Sequence, residues 1–107
     1  SGPAVLPDAD TDTEQVVRHQ PPYHVILLDD DDHTFEYVAF MLLDLFAHPL
    51  EKGYELATEV HETGRAIVCT TSLERAELKQ EQIHGYGPDP FSRSSKGSMT
   101  AVLEPAE

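Results

Sequence analysis

One stretch constrains the fold of this chain more than any other: four apolar residues run directly into four aspartates. Residues 25–36 read VILLDDDDHTFE. The apolar run does not alternate with polar residues, which is typical of a strand buried on both faces. The aspartates then lie at a junction between a strand and a helix, where chains often place ligand-binding residues. Four adjacent carboxylates repel one another, so this junction is expected to attract a cation.

Periodicity assigns the rest of the chain to short helices and strands. The predicted elements are a strand at 23–28, a helix from 35 that ends at His48-Pro49, a helix at about 50–62, a strand at 66–71, a helix at 73–85 and a strand at 99–103. This order, β-α-α-β-α-β, predicts an α+β fold in which three helices pack on one face of a three-stranded antiparallel sheet. Inward positions are expected at Leu56, Ala57 and Val60 in the second helix and at Ala76, Leu78 or Lys79, and Ile83 in the third.

Composition divides the chain into a tail and one domain. Residues 1–20 are acidic and lack an apolar period, which predicts a flexible tail, with Ser1-Gly2 expected to be a tag remnant. Residues 21–107 form one small domain. The net charge of -13 argues against nucleic acid and anionic membranes as partners. The single cysteine, Cys69, favours a cytoplasmic setting.

The acidic run has three interpretations, and its residues alone leave all three open. It can be a solvated turn in which one aspartate caps the following helix. It can bind a divalent cation together with His33 or His61, although no EF-hand or zinc spacing is present. It can also bind an ammonium group, because carboxylates accept hydrogen bonds and an ammonium has three donors.

Four segments together resemble the ClpS family, adaptors that present N-degrons to Clp proteases. They are YHVILLDDD at 23–31, FEYV at 35–38, EVHETGRA at 59–66 and AELK at 76–79. The resemblance runs from about Pro21 to Glu104 and requires an insertion around residues 88–96. It implies the same α+β fold that periodicity predicts.

The resemblance also implies a binding site for a free N-terminal Leu, Phe, Tyr or Trp. The residues that it implies for binding the amine are Asp29, Asp31 and His61. The residues that it implies for the wall of the side-chain pocket are Leu27, Leu28, His33, Phe35, Val38, Ala57, Val60 and Met99. The residues that it implies for contact with an unfoldase of the ClpA or ClpC type are Glu74 and Lys79. No catalytic residue, metal or cofactor is implied, so we predict a binding adaptor and not an enzyme.

Four of these positions depart from the residues that are usual in the family. Asp29 replaces an asparagine, so a carboxylate replaces an amide that could donate to a peptide carbonyl. His33 replaces a threonine, and Phe35 and Ala57 each replace a methionine. The change at Ala57 is expected to widen the side-chain pocket.

Two other functions compete with the degron adaptor. The first is a metal-dependent hydrolase that uses Asp29–Asp32 and His61. The second is an interaction module that keeps the fold without recognising degrons.

Overall fold

The computed structural model describes residues 20–106, so the predicted tail lies outside the described residues except for Gln20. The elements are β1 (Tyr23–Leu28), α1 (Phe35–Phe46), α2 (Leu50–Thr63), β2 (Arg65–Thr71), α3 (Leu73–His84) and β3 (Ala101–Pro105). The predicted order and the α+β class are confirmed.

The apolar run forms the central strand of an antiparallel sheet with the order β2-β1-β3. Val25, Ile26 and Leu27 are fully buried. Val25 and Leu27 belong to the main core cluster. Ile26, which alternation turns to the opposite face, is flanked there by its partners Ile67 and Val102. The absence of polar alternation in this run therefore reflects a strand with neighbours on both edges.

The last strand lies two residues further along the chain than predicted. Met99 is 3% exposed and belongs to the core cluster, and it precedes the strand. The carbonyl of Thr100 accepts a hydrogen bond from the Leu28 N–H at 3.0 Å. β3 then reaches Pro105, which an edge strand tolerates because the missing N–H is not needed on the open side.

Helices α1 and α2 approach each other closely at Gly53. A Cβ atom at Gly53 would lie 2.9 Å from the Cα and 3.2 Å from the Cβ of Ala39. Glycine normally disfavours a helix interior. Here it allows two helix backbones to meet at a distance that a side chain would prevent.

The third helix turns Lys79, and not Leu78, towards the protein. Ala76 and Ile83 are fully buried as predicted, whereas Leu78 is 49% exposed. The Lys79 ammonium donates to the carbonyl of Leu45 at 2.5 Å, near the carboxyl end of α1. A cation is favoured there because the carbonyl end of a helix carries partial negative charge.

Candidate functional site at the acidic junction

The first residue of the acidic run is fixed beside the end of α2. The Asp29 N–H donates to the carbonyl of Gly64 at 3.0 Å. Gly64 ends α2 in the left-handed conformation, with φ of 91°, a geometry that glycine adopts without steric cost. Because His61 lies in the last turn of α2, this bond brings the start of the acidic run to the helix end that carries His61. The side chains of Asp29, Asp31 and His61 are all exposed.

The second residue of the run organises the turn. One carboxylate oxygen of Asp30 accepts the Asp32 N–H at 2.9 Å and faces Nδ1 of His33 at 2.6 Å. An aspartate that binds the backbone two residues ahead closes a turn. Asp31 consequently lies exposed within a turn that its neighbour holds.

The helix after the run is capped by Thr34, and none of the four aspartates caps it. The Thr34 hydroxyl accepts the Tyr37 N–H at 3.2 Å. The interpretation in which an aspartate caps this helix is therefore wrong. Asp30 stabilises the preceding turn. The capping position is taken by Thr34, whose short hydroxyl side chain can accept a hydrogen bond from the first turn of the helix.

His33 links the turn to a distant loop. Its side chain is 5% exposed, and Nε2 lies 2.7 Å from the carbonyl oxygen of Gly97. Its ring centroid is 4.7 Å from that of Tyr37. Burial by itself would lower the pKa of His33. The hydrogen bonds to Asp30 and Gly97, together with the charges of Asp30 and Asp89, outweigh burial and raise this pKa above its ordinary value.

The segment 85–100, which we call the pinned loop, is held against the start of α1. Asp89 is 3% exposed. One of its carboxylate oxygens accepts the N–H of Thr34 at 2.6 Å and the Thr34 hydroxyl at 2.9 Å, and the other accepts the Phe91 N–H at 2.7 Å. The Tyr37 hydroxyl donates to the carbonyl of Gly87 at 2.5 Å. The predicted insertion is therefore a packed part of the domain.

Sequence reasoning missed Asp89 and Gly97 because their partners are 55 and 64 residues away. Asp89 lies between two prolines. That pattern indicates a turn, and it carries no sign that the carboxylate is buried.

Most of the predicted pocket residues are packed together. Five of them belong to the buried core cluster and are at most 4% exposed: Leu27, Val38, Ala57, Val60 and Met99. Leu28 is half-buried, and Phe35 is 37% exposed. The Phe35 ring meets the ring of His61 edge-on, with 5.5 Å between centroids. The predicted apolar wall and the predicted amine-binding residues are therefore adjacent at this contact.

A separate cavity of about 390 Å³ opens beside the pinned loop. None of the eight predicted pocket residues lines it. Its lining is aromatic and proline-rich: Tyr37, Phe40, Tyr86, Pro88, Pro90 and Phe91. Burial and the neighbouring Asp44 carboxylate, to which the Tyr86 hydroxyl donates, raise the pKa of Tyr86 to about 12.

The two predicted unfoldase contacts differ in their availability. Glu74 is exposed in the first turn of α3, whereas Lys79 is half-buried with its ammonium on Leu45.

Within residues 20–106, no three His, Cys, Asp or Glu side chains converge in a way that could hold a metal ion. In the same range, no helix is both long and apolar enough to cross a membrane.

The family model for the ATP-dependent Clp protease adaptor protein ClpS matches residues 18–89, about two thirds of the chain. The chain belongs to the ClpS family. Proteins named ATP-dependent Clp protease adapter protein ClpS are among its relatives. The one from Thermosynechococcus vestitus is 40% identical over 83 residues, which cover 76% of this chain and 85% of that protein. The one from Vibrio cholerae is 30% identical over 104 residues, which cover 95% and 93%.

A solved ClpS structure has the same fold. Agrobacterium tumefaciens ClpS2 bound to L-phenylalaninamide aligns with a TM-score of 0.70 and 24% identity, covering 81% of this chain and 99% of that one. Membership of an adaptor family confirms the prediction that the chain is a binding protein and not an enzyme. The comparisons give no support to the metal-dependent hydrolase.

Proposed function

We propose that this ClpS protein binds proteins that begin with a free Leu, Phe, Tyr or Trp and delivers them to a Clp AAA+ unfoldase. The observation that carries the proposal is the contact of Phe35 with His61, because it joins the predicted amine-binding residues to the predicted apolar wall. The ligand of the A. tumefaciens relative, L-phenylalaninamide, combines a free α-amine with an aromatic side chain, as such an N-terminus does.

The amine half of the site would be formed by Asp29, Asp31 and His61. An ammonium offers three donors, and the two carboxylates and one ring nitrogen of His61 would supply three acceptors. Hydrogen bonds to charged groups contribute about 1.5–3 kcal/mol each relative to water. Asp29 has no amide donor, so it favours the ammonium and leaves the first peptide carbonyl to other donors.

The apolar half of the site would contribute a similar amount. Burying one large apolar side chain stabilises a complex by about 1.5–3 kcal/mol. An internal Phe or Leu has no free amine and would leave the carboxylates unpaired, so binding of both halves discriminates against internal residues. A bulky N-terminal residue satisfies both halves at once.

Delivery would use surfaces outside the degron site. Glu74 is exposed and available to a partner. Lys79, five residues further along α3, would offer only the part of its side chain that is not packed against Leu45. The acidic segment 1–20 would be engaged by the unfoldase, and the net charge of -13 suits a basic partner surface. We propose a cytoplasmic location, which suits the free Cys69.

Two peptides that differ only at the N-terminus test the amine half. A Phe-starting peptide with a free amine is compared with its acetylated form by fluorescence anisotropy. Loss of about 3 kcal/mol corresponds to binding weaker by roughly a hundredfold after acetylation. Equal titration curves would overturn the role of the amine. Absence of binding by either peptide would indicate an interaction module without degron recognition.

A matched pair of variants locates the amine site in the turn. Asp31→Asn is expected to weaken binding of the free peptide by roughly tenfold, equivalent to about 1.4 kcal/mol. Asp32→Asn removes the same charge from the same exposed turn and should leave the affinity nearly unchanged. Similar losses in both variants would point to a general effect of charge and not to a specific contact.

A further inference from the structure

Both ring nitrogens of His33 face oxygen acceptors. Nδ1 is 2.6 Å from the Asp30 carboxylate, and Nε2 is 2.7 Å from the carbonyl oxygen of Gly97. An imidazole donates from both nitrogens only when it is protonated. The two short contacts therefore suit a protonated His33, whose side chain is 5% exposed.

The two acceptors lie within two residues, along the chain, of residues from opposite halves of the proposed site. Asp30 also binds the Asp32 N–H, and so fixes the turn that exposes Asp31. Gly97 lies two residues before Met99, which is buried in the core cluster with other predicted pocket residues. His33 thus connects the turn of the amine half directly to the segment that enters the apolar half.

We propose that His33 is a positioning residue for degron binding: its protonated ring holds the acidic turn and the pinned loop in the binding geometry, and loss of the proton weakens binding. The inference rests on the proposed function, which it extends by a proton-linked control.

The groups packed around His33 favour its protonated form. The carboxylates of Asp30 and Asp89 face it with negative charge, and the Tyr37 ring and the Ser95 hydroxyl complete its surroundings. Burial raises the pKa of Tyr37, so this phenol stays neutral while His33 titrates. The pKa of His33 is raised in the folded protein. Protonated His33 therefore makes its full contribution to stability when the pH is below 6.5, the ordinary pKa of a histidine. This contribution is lost as the pH rises through the pKa of His33 in the folded protein.

Deprotonation would exchange the partner of Nε2. The remaining proton stays on Nδ1, because a carboxylate is a stronger acceptor than a carbonyl. The lone pair of Nε2 then faces the Gly97 oxygen without a hydrogen between them. The Ser95 hydroxyl lies 3.3 Å from both atoms and can turn its proton from Gly97 to Nε2. The connection to Gly97 is lost, and the loop is released at the end that leads to Met99.

The test measures affinity for the free Phe-starting peptide from about pH 5.5 to about 7.5, where the peptide amine remains largely protonated. We expect binding of the natural protein to weaken roughly threefold over this interval, and that of His33→Gln to lose this downward trend, because glutamine donates a hydrogen bond without titrating. Every other titratable group is common to the two proteins, so the difference between their pH trends reports the contribution of His33.

A second measurement uses the natural protein and does not depend on the folding of a variant. The His33 Cε1–H resonance is titrated by NMR with and without the peptide, and its nuclear Overhauser contact with the Tyr37 ring, whose centroid is 4.7 Å from that of His33, assigns it. Linkage requires bound peptide to raise the pKa of His33 by about half a unit, the counterpart of the threefold change. An unchanged pKa, or the same downward trend in both proteins, would overturn this inference alone. Absence of binding at every pH would overturn the proposed function as well.

Discussion

Removal of the Asp89 carboxylate should destabilise the domain far more than removal of a neighbouring surface carboxylate. Asp89 is 3% exposed and accepts three hydrogen bonds from the start of α1 and from the pinned loop. In Asp89→Ala, the half-buried Thr34 loses the acceptor of its N–H and its hydroxyl, which costs about 1–3 kcal/mol. The exposed Phe91 can replace its bond with water, so its loss costs about 1 kcal/mol. The sum is about 2–4 kcal/mol.

The amide variant Asp89→Asn tests whether the loss of stability comes from the loss of these hydrogen bonds. In Asp89→Asn, the amide oxygen can keep both bonds to Thr34, and the NH₂ group then faces the Phe91 N–H. We therefore expect a loss of about 1 kcal/mol, well below that of the alanine variant. Asp32→Ala, which removes an exposed carboxylate from the same junction, should stay within about 0.5 kcal/mol of the natural protein.

Urea unfolding followed by far-UV circular dichroism measures all three free energies, with the slope of the transition checked for a common unfolded state. Hydrogen exchange at the Thr34 amide provides a local measurement, because protection there should be reduced in Asp89→Ala and kept in Asp89→Asn. The structural role of the Asp89 carboxylate would be refuted if Asp89→Ala were no less stable than Asp32→Ala. The role of its hydrogen bonds would also be refuted if the asparagine variant were as unstable as the alanine variant.

Two further substitutions test the packing of the helices. Gly53→Ala should destabilise the domain by about 1–2 kcal/mol despite a gain in helical propensity, because its Cβ would lie 2.9 Å from the Ala39 Cα; increased stability in urea unfolding would contradict the close contact. Ala57→Met should weaken binding of a Trp-starting peptide more than that of a Leu-starting peptide, by roughly fivefold or about 1 kcal/mol. An unchanged order of preference would count against Ala57 as pocket wall, provided that unfolding shows the variant to be folded.

Local chemistry was sufficient to predict where most elements begin and end. The strand at 23–28 follows from the unbroken apolar run at 25–28, and α2 ends at Gly64 because a glycine there can adopt the left-handed conformation. Ser72 caps α3 through a hydrogen bond from the Arg75 N–H. Each of these signals involves residues within one or two turns of one another, so they can be read in the sequence.

The roles of single side chains depended instead on partners that only the fold supplies. The sequence left Leu78 and Lys79 as alternatives, and the carbonyl of Leu45 at the end of another helix decides in favour of Lys79. Gly53 looks like a weak helix residue until Ala39 is placed against it.

The acidic run shows the same division. Its sequence determined that four carboxylates follow a buried strand, and the resemblance to ClpS suggested an amine as their ligand. Only the tertiary structure separated the four, because Asp30 acquires its role from the turn and from His33, while the anchors of the pinned loop, Asp89 and Gly97, lie 55 and 64 residues from their partners. A hydrogen bond depends on distance in space, and over such separations the sequence does not specify that distance.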